Sequence, residues 1–194
     1  MKISILLPYK ENFATQYPGA VSLFVADTLK KSIFKKTTNI YGYTDYKTYL
    51  SANYININIS KKILQSTSEL YVKKFIELQE NIKSDIIEIH NRPNYLKYIK
   101  KLNSKIVLYF HNDPLEMAGS QATNERINLL RICEKIIFNS DWSKNRFLEN
   151  LDNFYCSSPK LMVINQSTNK PKVDLKKKRE NNNFCWKVKF CKRL

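Results

Sequence analysis

Both histidines of the chain stand where an apolar run gives way to polar residues, in Asp85-IIEI-His90-Asn91 and Lys105-IVLYF-His111-Asn112-Asp113. An imidazole changes protonation near neutral pH, so either ring can donate to, or take a proton from, a ligand hydroxyl. Asn112 and Asp113 place further hydrogen-bonding groups beside His111. A lone histidine at a strand end reads equally as a capped or solvated residue, and Asp113-Pro114 reads equally as a turn, because Asp side chains bond the local backbone. That both histidines fall at such ends, each followed by Asn, favours a shared site. In an open α/β sheet, ligands bind outside the carboxyl ends of parallel strands, where side chains from different strands converge.

A second candidate lies earlier, at Pro18-Gly19-Ala20. Gly19 can let the backbone approach a ligand closely, and the helix that follows presents unpaired amides to an anion such as a diphosphate. An ordinary turn before a helix fits Gly19 about as well.

The elements that must position these residues follow from periodicity. Residues 2–7 form an apolar run closed by Pro8, a buried strand. Val21, Phe24, Val25, Leu29 and Ile33 recur at helical spacing after Ala20. Short strands are expected at Thr38-NIYGY and Tyr54-ININI. Ser66-Thr67-Ser68-Glu69 has the spacing of a capping box opening a helix to about Ile82. Strands at Asp85-IIEIH, Lys105-IVLYFH, Lys135-IIF and Lys160-LMVI alternate with helices. One of these begins near Pro93, which suits a first turn, and another near Ala122. A third is capped by Ser140, with Trp142, Phe147 and Leu151 facing inward. Continuous apolar strands alternating with helices predict an α/β fold, a parallel sheet with helices on both faces.

The bulk numbers bound the rest. At 194 residues with 43% hydrophobic content, the chain can fill one domain core. It has no apolar run long enough to span a bilayer. Met1-KISILLP is too short for a signal peptide and is followed by charged residues, so the expected location is cytoplasmic. Cys133, Cys156, Cys185 and Cys191 form neither a CxxC pair nor a zinc spacing, so neither a metal site nor a disulfide framework is expected. The formal charge of +16 raises nucleic acid or an anionic membrane surface as partners. From Lys170 onward ten basic residues stand against two acidic ones, which is half of that charge. The rest lies on lysine-rich helices that read as solvated faces. This leaves a non-catalytic basic module as the alternative reading, with nucleic acid the weaker partner. GxGxxG, GxxxxGK[ST], HExxH and GxSxG are all missing.

Pro18-Gly19-Ala20-Val21, Asp85-IIEIHN, Ile106-VLYFHND, Glu134-KIIFNSDWSKNRF and Lys160-LMVINQS come in an order that resembles the amino-terminal, acceptor-side domain of family 4 glycosyltransferases of the GT-B fold. The resemblance runs from Met1 to about Asp174 and makes the expected domain, residues 1–174, a Rossmann-like one. It implies retaining transfer of a hexose from a nucleotide-sugar co-substrate to a glycan or lipid-linked acceptor, in cell-surface polysaccharide or lipid-linked sugar synthesis. No cofactor or metal is implied. By matching positions, Gly19 and Ala20 would lie against the donor phosphates and His111 would face donor sugar and acceptor as the catalytic residue. His90, Asn112, Asp113 and Ser140 would line the cleft. The family usually has two adjacent glycines in the first loop, where this chain has Gly19 and Ala20.

The family's second, donor-binding domain would begin after Asp174, where residues 175–194 form a basic tail without strand or helix period. Back-translated and read one nucleotide later, Glu180 to Leu194 permits a strand followed by a glycine-bearing basic turn, as at the opening of a donor domain. The A-rich codons expected for Lys176 to Lys178 are a slip point. The expectation is a frameshifted, truncated and poorly active enzyme, testable by sequencing the locus downstream.

Overall fold

Strands rich in Ile, Leu, Val, Tyr and Phe on both faces favour a sheet covered by other elements. The computed structural model, which describes residues 1–59 and 66–166, builds that sheet from seven strands. In chain order the elements are β1 (Ile3–Leu6), α1 (Ala20–Lys31), β2 (Thr38–Gly42), β3 (Tyr54–Asn56), α2 (Thr67–Ile82), β4 (Ile86–His90) and α3 (Leu96–Ile99). There follow β5 (Lys105–Phe110), α4 (Thr123–Ile132), β6 (Lys135–Phe138), α5 (Asp141–Leu148), α6 (Asn153–Cys156) and β7 (Leu161–Val163). The strand order is β3-β2-β1-β4-β5-β6-β7, with every pair parallel. The winding reverses between β1 and β4, which opens a crevice at their carboxyl ends. The fold is a Rossmann-like α/β domain.

Register decides which side chains share a face. Leu6, Ile89, Leu108 and Ile136 point to one side, where they pack with Tyr71, Val72 and Phe75 of α2, Leu96 and Ile99 of α3, Leu129 and Leu130 of α4, and Phe147 of α5. Ile5, Leu7 and Ile40 point to the other, against Val21, Val25, Ala26 and Leu29 of α1. Glu88, His90 and Tyr109 share this second face, because Glu88 pairs with Ile5 and His90 with Tyr109. Among the described residues α1 is the helix that covers it, and Met162 of β7 stays exposed there.

Three local expectations are corrected. Ser66 precedes α2, but its hydroxyl makes no cap bond, and Glu69 turns instead to Lys73 at 2.8 Å, one helical turn on. Trp142 is exposed rather than inward: α5 is anchored by Phe147, and the Trp142 ring lies near the Arg146 guanidinium, 5.9 Å from its centroid. Ile33 is 90% exposed, because α1 ends at Lys31 and the chain turns away before the next inward position. The boundary at residue 174 and the tail 175–194 lie outside the described residues. No helix among those described is long and apolar enough to cross a membrane.

Candidate functional site

Adjacent strand ends bring the two histidines together. His90 closes β4 and His111 follows β5, and His90 Nδ1 lies 2.8 Å from His111 Nε2. Tyr109 stacks on both rings, at 5.4 Å from His90 and 4.4 Å from His111 between centroids, while Phe24 of α1 meets the His111 ring edge-on at 5.0 Å. His90 is wholly buried and His111 partly open. Burial, and then the neighbouring His90, push His111 down to about 3 from its ordinary value near 6.5, so its ring is neutral at physiological pH. Burial, with Glu88 adding to it, pushes the Tyr109 phenol up to about 12. His111 is therefore an uncharged hydrogen-bonding group set among aromatic rings.

The polar chain continues past both rings. Glu88, two residues before His90 and so on the same face, places Oε1 2.7 Å from His90 Nε2. At the other end Gln166, beyond β7, reaches His111 Nδ1 with its amide nitrogen at 2.5 Å. The His111 backbone is clamped as well. Its N–H donates to Asn91 Oδ1 at 2.7 Å, and its carbonyl accepts from Asn139 Nδ2 at 2.7 Å. Asn91 takes a left-handed conformation at φ 51°, which Asn tolerates better than most residues, and this turns its side chain back across the strand end. Asn139 is held in turn by Ser143, whose hydroxyl donates to Oδ1 at 3.0 Å.

At the start of α1 the structure shows an internal anion. Glu11 Oε1 accepts from the amides of Val21 and Ser22 at 3.1 and 3.2 Å, the groups that helix geometry leaves without a partner. The Gly19 amide donates to the Asn12 carbonyl at 3.0 Å. Gly19 has φ −72°, open to any residue, yet a Cβ there would sit 1.9 Å from Glu11 Oε1. A side chain at position 19 would thus push the Glu11 carboxylate aside, and Ala20 beside it is exposed.

The remaining candidates divide. Asn112 is exposed at the crevice rim. Asp113 has both carboxylate oxygens engaged, accepting from the Leu115 amide at 2.9 Å and from Arg146 Nε at 3.0 Å. Ser140 caps α5 through the Ser143 amide at 3.2 Å and stands beside Asn139. Among the described residues no group of three or more His, Cys, Asp or Glu side chains is placed to hold a metal ion.

No protein-family model matches the chain, and no curated protein does. Solved structures do. HepE from Anabaena, in complex with UDP and glucose, shares 18% identity with a TM-score of 0.57, over 87% of this chain and 45% of its own. Sucrose-phosphate synthase from Thermosynechococcus elongatus shares 12% identity with a TM-score of 0.58, over 87% of this chain and 49% of its own. A shorter chain of that synthase is covered to 91%, over 87% of this chain, at 10% identity and a TM-score of 0.54. The likeness shows the fold, a Rossmann-like α/β domain corresponding to about half of HepE and of the full synthase. The chain spans less than half the length of HepE and of the full synthase.

Within this domain, sequence reasoning reached the histidines but passed over Glu11, Glu88, Asn91, Asn139 and Gln166. Asn91 carried a signal, since Asn follows both histidines. Glu88 carried one too, as the single charged residue inside the apolar run IIEIH. Glu11 did not, because its role depends on a loop that folds back over ten residues.

Proposed function

We propose that this chain is the amino-terminal, acceptor-side domain of a retaining, nucleotide-sugar-dependent glycosyltransferase of family 4. It would transfer a hexose to a glycan or lipid-linked acceptor. The observation that carries this reading is the joined pair His90 and His111, placed beside the β1/β4 switch point and packed against α1. A neutral His111 can accept a hydrogen bond from a sugar hydroxyl. The exposed Asn112 and the Ser140 turn stand at the same end of the sheet. That HepE is solved with UDP-glucose supports a nucleotide-sugar donor.

In this reading His111 faces donor sugar and acceptor, the α1 amides and Gly19-Ala20 face the diphosphate, and no metal takes part. The donor-binding half supplies the groups that stabilise the leaving diphosphate, commonly the largest catalytic contribution, with each lost donor worth about 10²–10³ in rate. This chain alone is then a poor catalyst, and attachment to the inner face of a membrane through its lysine-rich helices is compatible with a lipid-linked acceptor.

The test is an NMR titration of the chain with UDP-glucose and, separately, with an alkyl glucoside. Shifts confined to the His90 and His111 rings and the first turn of α1 are expected. Silence of those signals with both compounds would remove the reading.

A further inference from the structure

The four groups in line, Glu88, His90, His111 and Gln166, hold their protons in one direction. Glu88 offers only acceptor oxygens. His90 Nε2 is buried and has no aligned hydrogen bond among the described residues, and the Glu88 oxygen at 2.7 Å approaches it off the ring N–H axis. Even so, a lone pair on Nε2 would face that carboxylate in repulsion, whereas an N–H dipole is attracted to it. With one proton on the ring, His90 carries it on Nε2, and Nδ1 is an acceptor.

From there the next step is forced. The contact of 2.8 Å between His90 Nδ1 and His111 Nε2 needs one proton, which must come from His111. With its proton on Nε2, His111 keeps a lone pair on Nδ1, which receives the Gln166 amide. The reverse direction would either turn the His90 lone pair onto Glu88 or require a doubly protonated His90. A ring flip offers no escape, because turning either imidazole by 180° in its stacked plane would put a carbon where a nitrogen now stands and break the His90–His111 hydrogen bond.

We infer that Glu88 and His90 are positioning residues that lock His111 in its Nε2-protonated tautomer, so that the atom offered to a ligand is the Nδ1 acceptor, with Gln166 occupying the ligand's place. A group that displaces Gln166 must itself bring a hydrogen. A sugar hydroxyl does so, and a carboxylate or phosphate oxygen does not. Naming a sugar hydroxyl rests on the glycosyl-transfer reading, while the polarity of the chain does not.

Long-range nitrogen–proton NMR spectra of the full chain, labelled with nitrogen-15, read each ring's tautomer directly. Both rings are expected as single Nε2-protonated forms at neutral pH. In Glu88→Ala the Nε2-H to Nδ1-H ratio of His111 should fall about tenfold, the worth of roughly one hydrogen bond. Glu88→Gln, which keeps an acceptor oxygen, should restore most of it. A wild-type His111 protonated on Nδ1 overturns the inference without any variant, and so does a ratio that Glu88→Ala leaves unchanged. Silence with both UDP-glucose and the alkyl glucoside would remove the functional reading and leave these spectra as they are.

Discussion

Asp113 Oδ2 accepts a hydrogen bond from Arg146 Nε at 3.0 Å across 33 residues, so the loop that leaves β5 is tied to α5. Its other oxygen caps the short turn at Pro114 through the Leu115 amide. Arg126 secures the same loop from beneath, donating to the carbonyls of Gln121 and Glu149 at 2.6 Å each. The position of His111, two residues before Asp113, depends on this bracing.

Asp113→Ala should therefore behave as a structural variant. The lost cap alone costs about 1 kcal/mol, with a further salt-dependent part from Arg146. Asn112→Ala, at an exposed neighbour, should stay within about 0.5 kcal/mol of wild type. Urea midpoints at unchanged slope measure both, and equal midpoints for the two variants would contradict the assignment.

Glu11→Ala removes the anion from the α1 amides and should lower stability by about 1 kcal/mol. Gly19→Ala should cost a similar amount by a different route, because its Cβ would displace the Glu11 carboxylate from 1.9 Å away. The two share one interaction, so the double variant should fall well short of the sum. Additive losses in a double-mutant cycle would show that Gly19 is needed for another reason.

Ser22 is wholly buried, and its hydroxyl has no hydrogen-bond partner among the described residues. Replacing it by Ala removes an unsatisfied polar group and improves helix propensity, so Ser22→Ala should raise stability by about 1 kcal/mol. A higher melting temperature checks this, and a lower one would mean that the hydroxyl is partnered in solution.

Acid should destabilise the fold through His111. Its unfolded form takes up a proton near pH 6.5, whereas the buried folded ring stays neutral until about 3. The unfolded state thus binds more protons in this window. Stability is full above about pH 6.5 and falls below it, by at most about 1.4 kcal/mol per pH unit for one group. His111→Gln should flatten the fall between about pH 6.5 and 5. Urea midpoints across that range decide, and an unchanged slope would place the titration elsewhere.

The sheet was legible in the sequence because its strands are apolar runs bounded by polar residues: Lys135-IIF and Thr38-NIYGY fall within a residue of the observed strands. The histidine pair was legible for the same reason, since strand ends of a parallel sheet share one edge. What the sequence hid are contacts settled by tertiary packing. Ser66 has the type and spacing of a cap, yet Glu69 is drawn to Lys73. Trp142 looked like core, but Phe147 is the large side chain that α5 buries. Asp113, read as a ligand group or a turn, serves the turn and Arg146 together.

The carboxylate at the head of α1 gives the crevice an occupant of its own. Because Glu11 is tethered, its effective concentration at those amides exceeds that of any free anion of ordinary abundance. Inorganic phosphate arriving alone must evict a like charge and gains only the amides in return. A molecule that also grips the crevice elsewhere can meet that cost from its other contacts. On the glycosyl-transfer reading, a diphosphate at the helix start would have to displace this glutamate, whose place beside Gly19 is left open by one missing methyl group.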